Sequence, residues 1–172
     1  RQNMAQQLAL KDALDSADCI LFGPGVTNTN DTVTLLRDIL ENAKCPVIID
    51  ADGINALSRN IDIIKQSAVK IVLTPHPAEM ARLCKVSAEE INSNRIYFAK
   101  KLAHELGVTV VLKGANTIVA TEDEKVFVNM TGNPGMATGG SGDVLAGMMA
   151  GLIASGVLHE NDAVCAAVYL HG

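Results

Sequence analysis

The run TGNPGMATGGSGD at 131–143 leads directly into a stretch of small apolar residues that begins Val144-Leu145-Ala146-Gly147. Gly139, Gly140 and Gly142 let the backbone approach a ligand closely and turn several N–H groups the same way. A helix starting behind them adds partial positive charge, so the segment predicts an anion hole. Asp143, in the first turn of that helix, sets a carboxylate beside the bound anion. A base held next to a phosphoryl group suits deprotonation of an attacking hydroxyl. The plainer reading makes the glycines a flexible turn and Asp143 an N-terminal cap. The small-residue helix and the other strand-end residues weigh against it. A Rossmann fingerprint would follow the first strand of a βαβ unit, whereas these glycines come late, and the Walker pattern GxxxxGK[ST] is absent.

Other chemically capable residues end apolar runs. Lys113 follows an apolar run at 108–112, where an ammonium can neutralise phosphate as a point charge or simply meet solvent at a turn. His76 sits between Pro75 and Pro77, held rigidly enough for recognition. Glu79 falls in the first turn of a helix, a place the dipole alone favours for an acid. Asp50, Asp52 and Asn55 follow Val47-Ile48-Ile49; the two carboxylates are either pocket residues or hydrogen-bonded structural caps.

Such residues need a frame that gathers them. Residues 19–22, 47–49, 69–73 and 108–112 read as strands, the continuous apolar run at 19–22 as one buried on both faces. They alternate with helical patterns: 4–14, a helix from 31 to 43 that Asn30 can cap, a short helix near 54–58, and another at 78–83. Ser87 and Glu90 form a capping box that opens one long helix through Ile91, Arg95, Phe98, Leu102 and Leu106, stopped by Gly107. A hairpin is predicted from 118–120 and 126–129 around Glu122-Asp123-Glu124-Lys125, then the Gly-rich loop, a helix at 143–154 and a last helix at 161–171. Alternating strands and helices predict an α/β fold, a three-layer αβα sandwich on a mostly parallel sheet. Ligands of such sheets bind outside the carboxyl ends of the strands. The loops at 23–25, 50–55, 74–79 and 113–117 should therefore share one edge.

Composition fits this frame. Of 172 residues, 48% are apolar but only 3% aromatic, so the core is aliphatic, within one domain spanning 1–172. A net charge of −5 without a Lys/Arg cluster argues against nucleic acid and anionic membrane as partners. Cys19, Cys45, Cys84 and Cys165 form no CxxC pair and read as buried, reduced thiols of a cytoplasmic protein. The chain starts at Arg1 inside a helical pattern and stops at Gly172 at the end of another, so both ends are expected to be cut from a longer domain.

The stretch GNPGMATGGSGDVLAG at 132–147 resembles the signature of the NAD(P)H-hydrate dehydratases, members of the ribokinase-like superfamily. VIIDADGINAL at 47–57, LTPHPAEMARL at 73–83 and VLKGANT at 111–117 agree in the same order. The resemblance implies repair of NADH and NADPH that have become hydrated at the nicotinamide ring. ADP or ATP, with Mg²⁺, phosphorylates the hydrate hydroxyl, and phosphate is then eliminated. It implies Asp143 as the base, in contact with the hydrated nicotinamide, and the amides of Gly140, Ser141 and Gly142 as the phosphoryl cradle. Lys113, Gly114, Ala115, Asn116 and Thr117 match a nucleotide-binding segment, which Gly142 adjoins. Gly25 and His76 match positions lining the hydrate pocket, with Asp52 and Asn55 on the same edge. Glu79 is similar to an acid that organises Mg²⁺ through water. A homo-oligomer is expected from the family. Two alternatives stand beside this reading: a ribokinase-like kinase of a thiazole or hydroxymethylpyrimidine alcohol, which would keep its phosphorylated product, and a non-catalytic nucleotide-binding fragment.

Overall fold

A computed structural model describes residues 4–136 and 138–172; Ala137 of the Gly-rich run and the expected helical start at Arg1 lie outside the described residues. Six strands form one sheet in sequence order: β1 (Ile20–Phe22), β2 (Val47–Ile49), β3 (Ile71–Leu73), β4 (Thr109–Leu112), β5 (Ile118–Ala120) and β6 (Val126–Val128). β1 to β4 are parallel, and β5 and β6 add an antiparallel hairpin at one end. The register aligns Leu21, Ile48, Val72 and Thr109, so β1 to β3 end level and β4 runs two residues further towards the same edge. The expected gathering of strand-end loops along one edge is therefore met.

Because crossovers between parallel strands share one hand, a sheet in sequence order sends every intervening helix to the same face. That face carries α2 (Asn30–Asn42), α3 (Asp52–Arg59), α4 (Pro77–Cys84), α5 (Ala88–Ser93) and α6 (Arg95–Leu106). Val47, Ile49, Ile71, Leu73, Val110 and Leu112 point into it. The alternate residues Ile48, Val72, Val111 and Val119 point to the opposite face, where α7 (Ser141–Ala154) and α8 (Glu160–His171) cover them. Helices on both faces make the three-layer αβα sandwich. α1 (Met4–Ser16) precedes β1 and buries Leu14 in the first core. Among the described residues no helix is long and apolar enough to cross a membrane.

Three local expectations need correction. Thr29, not Asn30, caps α2: its side chain accepts the Thr32 N–H, and Thr32 returns the bond to the Thr29 N–H. The helix opened by Ser87 does not run through to Gly107. It breaks at Asn94 (φ −140°, ψ 46°), leaving α5 and α6 as separate helices. α7 begins at Ser141 rather than Asp143, so the Gly-rich loop ends at Gly140, whose φ of 87° turns the chain into the helix. Of the cysteines, Cys45 is buried and the other three are half-buried, all without disulfide partners.

Candidate active site

The site is built from three strand ends and one helix start. At the end of β2, Asp50 donates its N–H to Phe22 O (3.0 Å) and accepts from Gly53 N–H (2.9 Å). This turn forces Ala51 to φ 48°, ψ −123°, a conformation L-residues disfavour. Gly23 (φ 128°) crosses it so closely that a Cβ would lie 1.7 Å from Asp50 O; only glycine fits there. The Asp50 side chain is 1% exposed, and its Oδ1 lies 2.6 Å from Lys113 Nζ at the end of β4. A carboxylate taken this far from water needs such a partner. Lys113 also donates its backbone N–H to Pro75 O (2.9 Å), so the ends of β2, β3 and β4 are tied together through one lysine.

Beyond β3, His76 caps α4. Its Nδ1 accepts from Ala78 N–H (3.1 Å) and Glu79 N–H (3.4 Å), which places the neutral ring's proton on Nε2. Glu79 answers through Oε2 to His76 N–H (2.8 Å), while Oε1 lies 3.3 Å from His76 Nε2. The Glu79 side chain is buried. Burial pushes its carboxyl above the ordinary glutamate range and the negative Asp50 adds to that, against the His76 amide, Lys113 and His76, which favour the charged form. His76 itself is half-exposed.

On the other side of Lys113 stands the start of α7. A Cβ on Gly142 would lie 3.4 Å from Lys113 Nζ, so ammonium and glycine are neighbours. Among the described residues no acceptor lies within hydrogen-bonding distance of the N–H groups of Gly140, Gly142 and Asp143, and α7 has no side-chain cap. Ser141 differs from its role in the expected cradle: its N–H donates to Thr138 O (3.3 Å), and its hydroxyl lies 3.3 Å from His171 Nε2. Asp143 is exposed at the third residue of the helix. Amides without acceptors among the described residues, at a helix start beside a lysine, suit the binding of an anion.

The segment 113–117 turns through Gly114 (φ 141°) and Asn116 (φ 56°), with Thr117 Oγ1 donating to Gly114 O at 3.1 Å. None of the N–H groups of Gly114, Ala115, Asn116 and Thr117 meets an acceptor among the described residues.

The structure thus brings Asp50, Lys113 and Gly142 into contact, with Glu79 and His76 alongside. Asp52 and Asn55 instead pair with each other (3.0 Å), and Asn55 also accepts from Arg82 Nη1 (3.0 Å). Gly25 (φ 77°) faces open space, and no hydrogen bond among the described residues joins Gly25 or Asp143 to the cluster. Two features escaped the sequence reading. Asp50 is the partner of Lys113, which only tertiary structure reveals. Arg95, assigned to a helix face, sends its guanidinium to the carbonyls of Leu112, Lys113 and Ala115. The Asn94 before it was the available hint, since asparagine favours breaks over helix interiors.

Comparison with known proteins gives the relatives of this chain. The chain is 42% identical over 163 residues to the bifunctional NAD(P)H-hydrate repair enzyme of Moorella thermoacetica, covering 95% of this chain and 31% of that protein. The crystal structure of the ADP/ATP-dependent NAD(P)H-hydrate dehydratase of Bacillus subtilis, co-crystallized with ATP and Mg²⁺, superposes with a TM-score of 0.81 at 36% identity, covering 94% of this chain and 58% of that one. A ribokinase-like superfamily protein of Enterococcus faecalis gives a TM-score of 0.83 at 32% identity, covering 97% of this chain and 57% of that one, so the fold is ribokinase-like. The chain therefore spans under two thirds of the length of these relatives. The profile of the NAD(P)H-hydrate dehydratases matches residues 1–172 throughout, and the chain belongs to that family.

Proposed function

We propose that the protein restores NADH and NADPH from their hydrates, using ADP or ATP as phosphoryl donor. The observation that carries this reading is the Lys113 ammonium, seated between buried Asp50 and Gly142 at a helix start whose Gly140 and Gly142 amides meet no acceptor among the described residues. In the reaction, the Asp143 carboxylate takes the proton of the hydrate hydroxyl. The oxygen attacks the terminal phosphorus of the nucleotide, and the bond to the departing AMP or ADP breaks. The amides of Gly140 and Gly142 bind the moving phosphoryl oxygens, with Ser141 joining only if its bond to Thr138 opens. Phosphate then leaves with the electron pair of the C–O bond, and a proton lost from the neighbouring ring carbon restores the double bond. Phosphorylation is needed because hydroxide is a poor leaving group.

The segment from Lys113 to Thr117 is assigned to the nucleotide, and Gly25, His76, Asp52 and Asn55 to the wall of the hydrate pocket. Mg²⁺ fits this site in one way. Both Glu79 oxygens are engaged by His76, and no group of three or more candidate ligands occurs among the described residues. Glu79 would therefore hold the ion through water, with phosphates as direct ligands. Bound Mg²⁺ would supply charge neutralisation on the phosphates. We place the protein in the cytoplasm as a homo-oligomer; sedimentation of the full-length protein as a single copy would remove the latter assignment. The decisive experiment incubates NADH hydrate with the full-length protein, Mg²⁺ and ADP or ATP, and follows the absorbance of the reduced nicotinamide. Recovery with either nucleotide, lost in Asp143→Asn, is expected. A stable phosphorylated product of a vitamin-precursor alcohol, with no NADH recovered, would overturn the reading.

A further inference from the structure

Arg95 opens α6 immediately after the break at Asn94. The break aims its side chain at residues well ahead in the chain. Nη2 donates to Leu112 O (3.1 Å) and Lys113 O (3.3 Å), and Nη1 donates to Ala115 O. The remaining carbonyl of that run, Gly114 O, is taken by the Thr117 hydroxyl. The planar fork of the guanidinium holds three carbonyls through two of its nitrogens.

The consequence lies on the far side of those peptides. In a trans peptide the C=O and N–H point in opposite directions. Carbonyls of Leu112, Lys113 and Ala115 that face Arg95 therefore send the N–H groups of Lys113, Gly114 and Asn116 away from it. The first of these shows the rule at work, since Lys113 N–H reaches Pro75 O at the end of β3. Gly114 and Asn116 N–H meet no acceptor among the described residues. The backbone also takes φ of 141° at Gly114 and 56° at Asn116, positive values that glycine and asparagine tolerate. A Cβ at Gly114 would lie 3.0 Å from Arg95 Nη2, which shows how closely the arginine backs the turn.

We propose that Arg95 is a positioning residue that holds the 113–117 turn so that the N–H groups of Gly114 and Asn116 face the nucleotide phosphates. This rests on the assignment of that turn to the nucleotide. Arg95 touches no substrate; it acts through the backbone in front of it and adds a positive charge behind the same amides. Its side chain also borders an open groove of about 580 Å³ with Asn94, Tyr97 and Asn116.

The test uses the full-length protein with Arg95→Ala and Arg95→Lys. Calorimetry with ADP and ATP in Mg²⁺ gives nucleotide Kd, and steady-state kinetics gives KM for nucleotide and for hydrate. Arg95→Ala is expected to weaken nucleotide binding roughly tenfold to a hundredfold. KM for the hydrate should stay within about twofold. Arg95→Lys, which keeps the charge but offers one compact ammonium in place of the planar fork, should fall between. Low concentrations of guanidinium chloride should restore part of the nucleotide affinity of Arg95→Ala and none in the wild type. If Arg95→Ala does not fold, Arg95→Lys carries the same comparison. A folded variant that binds nucleotide as the wild type does, even with a lower Tm, would reduce Arg95 to a structural tie and overturn the proposal. Wild-type protein that binds neither nucleotide would overturn the assignment of the turn and this proposal together, whereas normal wild-type binding with unaffected variants removes only the role of Arg95.

Discussion

The ion pair of Lys113 with Asp50 and the nucleotide role proposed for that lysine can be separated by substitution. As partner to Asp50 it neutralises a carboxylate that has almost no access to water. Lys113→Met removes the neutralising charge and strands the carboxylate. Breaking a buried pair from one side costs about 3 kcal/mol, taking the low end because Lys113 keeps some exposure. The double variant Lys113→Met/Asp50→Asn should recover much of that stability in denaturant titration while nucleotide binding stays weak. If stability does not recover, the ion pair is not what the lysine stabilises. Asp143 contrasts with this. It is exposed and makes no bond to the cluster, so Asp143→Asn should leave the thermal midpoint unchanged within error. Loss of a general base should lower the rate of NADH recovery by about 10²–10⁴-fold. The thiols offer a check of the packing. Burial pushes Cys19, Cys84 and Cys165 up to about 11, leaving roughly a thousandth as thiolate at pH 8. Native protein should therefore react with iodoacetamide far more slowly than unfolded protein at that pH, and speed up as pH approaches 11. Equal rates would mean these sites are open.

The elements divide into those a reader of the sequence can place and those set by distant contacts. Strands β1 to β4 are legible because each is a short, mostly apolar run, and in β2 to β4 burial on both faces leaves no alternation to misread; the half-buried Ile20 and Leu21 correct the expectation of full burial for β1. The hairpin and the Ser87 capping box are legible from local chemistry. The break at Asn94 is not, because the apolar spacing of Ile91, Phe98 and Leu102 continues across it and Arg95 gains its carbonyl partners only in the folded chain. Likewise Thr29 and Asn30 are both good caps, and the choice falls to the Thr29–Thr32 exchange of bonds. For the site, the Gly-rich run and Lys113 are visible as types and spacing, whereas the Asp50–Lys113 pair joins residues 63 apart in sequence. The turn after β2 tests the element scale directly. Gly23→Ala puts a methyl where Asp50 O already sits and should cost about 2–4 kcal/mol, read as a lower denaturation midpoint. Ala51→Gly relieves a disfavoured φ and ψ at the same turn and should gain about 1 kcal/mol. Opposite signs at two neighbouring positions are the expected result, and the same sign at both would mean the turn is not held as described.

At the scale of the whole molecule, the charge cluster couples folding to protons and to ligand. Glu79 is held above its ordinary value of 4.5 by burial, so the native state keeps a proton at a pH where the unfolded chain has lost it. The native state then binds more protons, and stability falls as pH rises from about 4.5 through the elevated native value, flattening above it. Asp123 works the other way at lower pH. Lys125, then Thr121, hold it at about 2 by hydrogen bonds, so its contribution is present above the ordinary aspartate value and lost as pH falls towards 2. Glu79→Gln should therefore remove the decline on the upper side and leave the acid limb intact. A decline that persists in Glu79→Gln would assign it to other groups. On the proposed function, nucleotide couples to folding through the same cluster, because the edge assigned to it exists only where β2, β3, β4 and α7 are assembled. At a hundredfold excess over Kd, ADP with Mg²⁺ should stabilise by about 2.7 kcal/mol. For a chain of this size that is a rise of roughly 5–10 °C in Tm. Lys113→Met should show almost none of that rise, since Asp50 then faces the phosphates without its counter-ion. A full shift in Lys113→Met would place the nucleotide somewhere other than the edge where these strands end.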